Sequence, residues 1–282
     1  MSNCHKLSRR SFMIAAACAV TGVIALFGAP ADAQAATLAE IKQKGVITFG
    51  MTTDQPPFSY INASGQNEGY EIDIMQLMAK DLGVKAVYVP ITSANRIPLL
   101  LTGKVDMLIC GLGIYADRAK VIHYVAPYAW SVSAVYGPKG SSVARLQDLS
   151  GKTIGVEKGS SLDKFLTDSA PKDANIQRYD DASSAAQALL SGQIEYLGFY
   201  SPLFVAIDKA APGKFASKIA IEEQAVGMAV SPQSKELGQW AGAFWTRYVK
   251  DGVADTLYQK YFGVPYPNKE TVIPGVAFTA TK

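Results

Sequence analysis

From residue 37 onward the chain alternates between short β-rich runs and segments whose apolar residues recur at helical spacing. VITFGM (46–51) reads as a strand, and DQPPFSY after it as a Pro-rich turn. In YEIDIMQLMAKDLG (70–83), Ile74, Leu77, Met78 and Leu82 keep the period of an amphipathic helix, and Gly83 is placed to stop it. VKAVYVPI (84–91) predicts a strand. RIPLLLTGK (96–104) predicts a short helix with Pro98 in its first turn, where a missing N–H is tolerated. VDMLICG, from residue 105, predicts another strand. The order βαβαβ implies a mostly parallel α/β sheet.

The pattern restarts after VSAVYGPKG (132–140). DLSGKTIGVEKGSSLDKFL (148–166) predicts a strand, a Gly-Ser turn and a helix; ANIQRYDD predicts a strand, ASSAAQALLSG a helix and IEYLGFY a strand. After IAIEEQAVGMAVSP (219–232) come two helical stretches, near 234–251 and 253–262, and then a Pro-rich tail, VPYPNKETVIPGVAFTATK (264–282). The architecture repeats although the sequence does not. Two such units predict two lobes with a cleft between them. Ligands of open α/β sheets sit at the carboxyl ends of the strands. Asp54 to Phe58, Gly111 to Arg118, Gly159 to Ser161 and Tyr200 all fall there.

The N-terminus changes the picture of where this fold works. Residues 1–36 have a basic start (Lys6, Arg9, Arg10), a mainly apolar stretch from Ser11 to Gly28, and small residues that match an A-x-A cleavage site after Ala33 or Ala35. Ser8-Arg9-Arg10-Ser11-Phe12-Met13 is similar to the twin-arginine export signal, which carries folded cargo. Removing residues 1–33 takes Lys6, Arg9, Arg10 and Asp32 from a formal charge of +3, leaving +1. It also leaves Cys110 as the only cysteine and His123 as the only histidine. An internal disulfide is then impossible, and a His/Cys zinc site is excluded. No later apolar run reaches the roughly 20 residues that span a bilayer. With no basic block, nucleic acid is not an expected partner. A soluble, exported protein without cofactor or metal is expected.

Several residues carry candidate chemistry, each beside a plainer reading. Gly159-Ser160-Ser161 lies between strand and helix, where backbone N–H groups can face an anion; alternatively Ser160 is simply an N-cap. Arg118 offers a planar fork to a carboxylate, with Gly111 and Gly113 allowing close backbone approach, or it is a surface charge after a turn. Arg96 stands at a helix start, where a cation is poorly placed against the dipole. Phe58 is either an apolar wall of a ligand site or a core residue beneath the turn. Cys110, in an apolar run, reads as an inert core thiol. Enzyme motifs are thin: there is no G-x-S-x-G, no Walker loop, and no G-x-G-x-x-G leading into a helix. His123 lies in IHYVAPY, which reads as a packed strand.

Taken together, GVITFGMTTDQPPFSY, GYEIDIMQLMAKDLG, TSANRIPLLLTGKVDMLICGLGIYADRAKVIHYVAPY, DLSGKTIGVEKGSS and DTLYQKYFG, over roughly residues 40–263, resemble the type 3 periplasmic solute-binding proteins of amino-acid ABC transporters. The resemblance implies a two-lobed periplasmic-binding-protein fold. Each lobe is then a mostly parallel sheet flanked by helices, and two crossing strands near 132–137 and 226–231 join them. It implies lobe 1 over 37–134 and 230–263, lobe 2 over 135–229, an extended tail over 264–282, and a closed form that docks on a membrane permease. It places Arg118 on the α-carboxylate of the solute, with Gly111 and Gly113 in the gripping loop and Ser160 and Ser161 as the lobe 2 contact. By the same resemblance Arg96 matches an arginine that in acidic-amino-acid binders reaches the ligand side chain, and Asp54 stands where the family often has an acid near the ligand's amino group.

The departures define the expected solute. Gly113 and Tyr115 replace usual hydroxyl residues, and Gln55 replaces a covering aromatic. Tyr200 stands where an aspartate normally holds the solute ammonium. The expectation is therefore a small carboxylate-bearing solute, either an amino acid held through Asp54 and Tyr200 or an organic acid without an ammonium. Tyr115, Phe58 and Tyr200 would line an aromatic-friendly pocket. The alternative is an exported cyclohexadienyl dehydratase acting on arogenate or prephenate, a chemistry known on this fold.

Overall fold

The computed structural model describes residues 35–269 and 271–279. The export signal expected over residues 1–33 lies outside the described residues.

Lobe 1 opens with α1 (Leu38–Lys44), a helix too short for periodicity to announce. A reciprocal cap starts it: the Glu40 N–H donates to the Thr37 hydroxyl, and the Thr37 N–H donates to the Glu40 carboxylate. β1 (Val46–Met51) follows. The turn expected over DQPPFSY instead holds β2 (Asp54–Gln55) and β3 (Ser59–Ile61), which join β4 (Asn67–Glu68) in a small antiparallel sheet. α2 (Tyr70–Leu82) is the amphipathic helix expected there; it buries Ile74, Met78 and Leu82 and ends at Gly83 with φ 72°. β5 (Lys85–Pro90), α3 (Arg96–Leu101) and β6 (Met107–Leu108) complete the βαβαβ unit. β6 is shorter than its apolar run. The chain leaves the ladder after Leu108, and Ile109, Cys110 and Leu112 are buried as loop. Cys110 is a free thiol, and burial pushes it up to about 12.

β7 (His123–Pro138) crosses into lobe 2. There follow β8 (Thr153–Glu157), α4 (Ser161–Ser169), β9 (Asn175–Tyr179), α5 (Ala182–Ser191), β10 (Tyr196–Tyr200) and α6 (Ser201–Ala210). β11 (Phe215–Val230) returns to lobe 1, where α7 (Lys235–Lys250) and α8 (Val253–Phe262) end the regular structure.

One eight-stranded sheet runs through both lobes in the order β5-β1-β6-β11-β7-β10-β8-β9. Each lobe keeps a parallel trio, β5-β1-β6 in one and β10-β8-β9 in the other. Between them β7 and β11 pair antiparallel from His123↔Val230 to Pro138↔Phe215. These crossing strands are 16 residues each, so they extend well beyond the short segments expected. Register shifts between Ala220 and Glu223 and between Val226 and Ala229 interrupt the ladder, and such bulges bend a strand and raise its twist.

Helices cover both faces. In lobe 1, Tyr70, Met78, Phe244 and Trp245 pack on one face of the sheet, and Leu100, Leu112 and Tyr124 on the other. In lobe 2, Leu189, Phe199 and Phe204 form one layer, and Ile154, Leu162 and Leu166 the other. The segment after α8 lies on lobe 1. Tyr266 packs edge-on against Trp130, Trp245 and Tyr258, and the Thr279 N–H donates to the Tyr124 carbonyl at 3.0 Å. Among the described residues no helix is long and apolar enough to cross a membrane.

Candidate functional site

A partly open cavity lies where the lobes meet, at the carboxyl ends of β8 and β10 and beside the loop after β6. Gln55, Ser93, Arg96 and Gly111 line it from lobe 1, and Glu157, Ser160, Ser161 and Tyr200 from lobe 2. The crossing strands add Ser131, Ser133 and Gln224. Most of the lining residues carry polar side chains, and Leu162, Phe199 and Val226 add apolar wall.

Side chains from the two lobes meet around this cavity. The Glu157 carboxylate accepts from Gln55 Nε2 at 3.2 Å and from the Ser93 N–H at 3.1 Å. The Asp54 carboxylate accepts from the Ser183 N–H at 2.8 Å, at the N-terminus of α5. Arg118 donates to the Gly159 carbonyl at 3.4 Å and the Ser161 hydroxyl at 3.5 Å. Gly159 has φ +75°, and a Cβ there would lie 2.9 Å from the Ala94 Cα of lobe 1. Only glycine combines that backbone with so close an approach.

Of the residues singled out from sequence, six line the cavity: Gln55, Arg96, Gly111, Ser160, Ser161 and Tyr200. Arg96 is 3% exposed; it donates to the Cys110 carbonyl at 3.2 Å, and its Nε has no partner. The Tyr200 hydroxyl is also buried without a partner. Gly111 has φ 61°, and its N–H is taken by Glu71 and the Tyr128 hydroxyl. Ser160 is the N-cap of α4, its hydroxyl accepting from the Asp163 N–H, so the plainer reading of that side chain holds.

The other five are placed elsewhere. Arg118 lies beside the cavity, across Ser161, with its guanidinium 5.1 Å from the centre of the Tyr115 ring. Burial and the neighbouring Arg96 hold its pKa below the ordinary arginine value. Gly113 is set back from the cavity; its carbonyl accepts from Arg118 and from the Tyr124 hydroxyl. Tyr115 lines an open groove that adjoins the cavity, the two sharing Ser133, Ser161, Leu162 and Gln224. Phe58, 1% exposed, is core: its ring meets Tyr200 edge-on at 5.5 Å and packs on Tyr70 and Phe262. Asp54 is held at α5, outside the cavity. Of the three aromatics expected to line the pocket, Tyr200 lines the cavity, Tyr115 the adjoining groove, and Phe58 packs against Tyr200 in the core.

Two carboxylates were not singled out. Glu157 ends β8, two residues before Gly159, and is 2% exposed. Burial raises its pKa, with Arg96 opposing. Its place at the end of a strand was the available signal, but TIGVEKG reads equally as a strand ending on a solvated acid. Glu71, fully buried, sits behind Gly111. It accepts from the Gly111 N–H and the Tyr128 hydroxyl at 2.6 Å each and from the Ser59 hydroxyl at 2.7 Å. Burial pushes its pKa up to about 7, against the pull of those three donors. In sequence it reads as an ordinary acid in the first turn of a helix, well placed for the dipole.

Two α/β lobes that meet around a cavity lined by Arg96 and Glu157 define a two-lobed binding-protein architecture. The family model of bacterial extracellular solute-binding proteins, family 3, matches residues 47–264, and the chain belongs to that family. It is 28% identical over 230 residues to an ABC transporter glutamine-binding protein of Bacillus subtilis, a match covering 80% of this chain and 84% of the relative. Among solved structures it is similar to a solute receptor for L-cysteine of Neisseria gonorrhoeae, with a TM-score of 0.77 and 30% identity over 84% of this chain and 97% of that one. An ancestral amino acid-binding protein, a precursor of cyclohexadienyl dehydratase, gives a TM-score of 0.72 at 28% identity, over 80% of this chain and 99% of that one.

Proposed function

We propose that the protein captures a small carboxylate-bearing solute, an amino acid or a related organic acid, between its lobes and delivers it to the membrane permease of an ABC importer. The observation that carries this reading is the pair of unpartnered buried polar atoms at the cavity, Arg96 Nε and Tyr200 Oη. Leaving such a group unsatisfied costs about 1–3 kcal/mol, and a bound solute with acceptor oxygens removes that cost. Arg96 and the nearby Arg118 make an anion the complementary ligand, and a guanidinium fork suits a carboxylate. β7 and β11 serve as the hinge, and closure buries the solute before it meets the permease. The protein works as a periplasmic monomer after its signal is removed, without a cofactor. The names of similar proteins, which refer to glutamine and L-cysteine, support a solute of this size.

The test is a thermal-shift screen of mature protein refolded free of carried-over ligand, against amino acids, dicarboxylates and aromatic acids. A ligand at 100 times its dissociation constant adds about 2.7 kcal/mol to stability, and a clear upward shift with at least one carboxylate is expected. Arg118→Ala is expected to weaken that ligand at least tenfold with the unliganded melting temperature retained. An unchanged affinity removes Arg118 from the solute site. Release of phenylpyruvate or phenylalanine from prephenate or arogenate would replace the transport reading with the enzymatic one.

A further inference from the structure

Two buried charges share the cavity without meeting. Arg96 and Glu157 both line it, at 3% and 2% exposure. Yet no ion pair among the described residues includes either one. Glu157 accepts only from neutral donors, the Gln55 amide and the Ser93 N–H, one on each oxygen. A carboxylate has about four acceptor sites, so half of its capacity is left. Arg96 is held only by the Cys110 carbonyl, with its Nε free. A third unsatisfied group, the Tyr200 hydroxyl, ends β10 beside the strand that ends in Glu157. Burying charges without their counter-charges is costly, and the cost is relieved when each finds a well-placed partner.

We infer that Glu157 is the specificity-determining residue that receives the positively charged, N–H-rich end of the solute, with the Tyr200 hydroxyl beside it, while the arginines take the carboxylate end. The inference rests on the solute-binding reading above and narrows it: the cargo is a zwitterion, and a plain organic acid leaves the spare acceptor sites of Glu157 unfilled. Tyr200 can accept one hydrogen bond from an ammonium but cannot neutralise it; Glu157, one strand over, supplies the charge that Tyr200 lacks. The same carboxylate bridges to Gln55 and Ser93 of lobe 1. Recognition of the cationic end and closure of the cleft therefore use one group.

The experiment compares matched ligands differing only in the amino group: L-glutamate with glutarate, L-cysteine with 3-mercaptopropionate, L-phenylalanine with 3-phenylpropionate, and L-arginine with 5-guanidinopentanoate. Affinities are measured by calorimetry on the wild type, Glu157→Gln and Arg118→Ala. Wild type is expected to bind one amino acid at least tenfold more tightly than its deaminated partner. In Glu157→Gln that ratio is expected to fall at least tenfold, whereas Arg118→Ala weakens both members together. Equal binding of both members by wild type, or an unchanged ratio in Glu157→Gln, overturns the inference and leaves the carboxylate-importer reading standing. The wild-type comparison decides even where the variant fails to fold. Binding of no member of any pair sinks the carboxylate reading and this inference with it.

Discussion

Glu71 shows how a single residue sets the conditions under which this site exists. Its carboxyl ties β3, the Gly111 loop and β7 together through Ser59, Gly111 and Tyr128. Ser59 in turn shares a 2.8 Å hydrogen bond with Thr52, so the network can reorient when the carboxyl gains a proton. The ordinary carboxyl value of 4.5 is raised to about 7 in the folded chain. Between those two pH values the folded state holds a proton that the unfolded state has released. The stability contributed by Glu71 is thus complete below pH 4.5 and is lost as pH rises to 7, a change on the order of 3 kcal/mol. In urea unfolding from pH 5 to pH 8, wild type is expected to lose stability relative to Glu71→Gln, which keeps an acceptor for Gly111 and cannot titrate. Parallel pH profiles would show that the proton is not taken up there.

At the scale of elements, the loops and helix ends that face each other across the cleft are expected to govern closure. α5 already has its own cap, the Asp181 side chain accepting from the Ser184 N–H at 2.7 Å. Asp54 adds a second carboxylate to that N-terminus from the opposite lobe. An anion at a helix N-terminus contributes about 0.3–1 kcal/mol, and a charged hydrogen bond about 1.5–3 kcal/mol. Asp54→Ala is therefore expected to weaken solute affinity about tenfold or more through a less stable closed form, with little change in the stability of the unliganded protein. Titration of both proteins by calorimetry checks this, and unchanged affinity would deny the contact a part in closure. Gly159→Ala acts on the same step by sterics. A left-handed alanine costs roughly 1–2 kcal/mol, and its Cβ meets the Ala94 backbone, which no rotamer can relieve. It is expected to weaken solute affinity more than its effect on unliganded stability, as measured by titration alongside thermal unfolding.

For the whole molecule, the two crossing strands make one sheet of two lobes, and the segment after α8 closes one side of lobe 1. Tyr266 packs among Trp130, Trp245 and Tyr258, while Ile273, Val276 and Phe278 pack under the α3 side of the sheet. Partial burial of four such side chains is worth several kcal/mol, at about 25 cal/mol per Å² of apolar area. A chain ending at Gly263 is expected to melt at least 5 °C lower, since 1 kcal/mol shifts a domain of this size by about 2–4 °C. An unchanged melting temperature would make the tail a passenger.

The sequence by itself determined the main strands and helices and their order, because those depend on local periodicity and on stop signals such as Gly83 at the end of α2, but not α1, the small β2–β4 sheet or α6. It also predicted that groups at strand ends would line a cleft. Gln55, Gly111, Ser160, Ser161 and Tyr200 fall at strand ends and line the cavity, whereas Arg96, which also lines it, stands out as a cation at a helix start. Only the tertiary structure decided which strand-end groups turn inward. Asp54 and Phe58 flank Gln55 within five residues, yet one reaches across to α5 and the other lies in the core. Glu157 looks in sequence like a solvated end to β8 and becomes a buried charge only when lobe 1 covers it. Periodicity records what one element buries against its own sheet, whereas the charge balance of a cavity depends on a second lobe brought to it by strands distant in the chain.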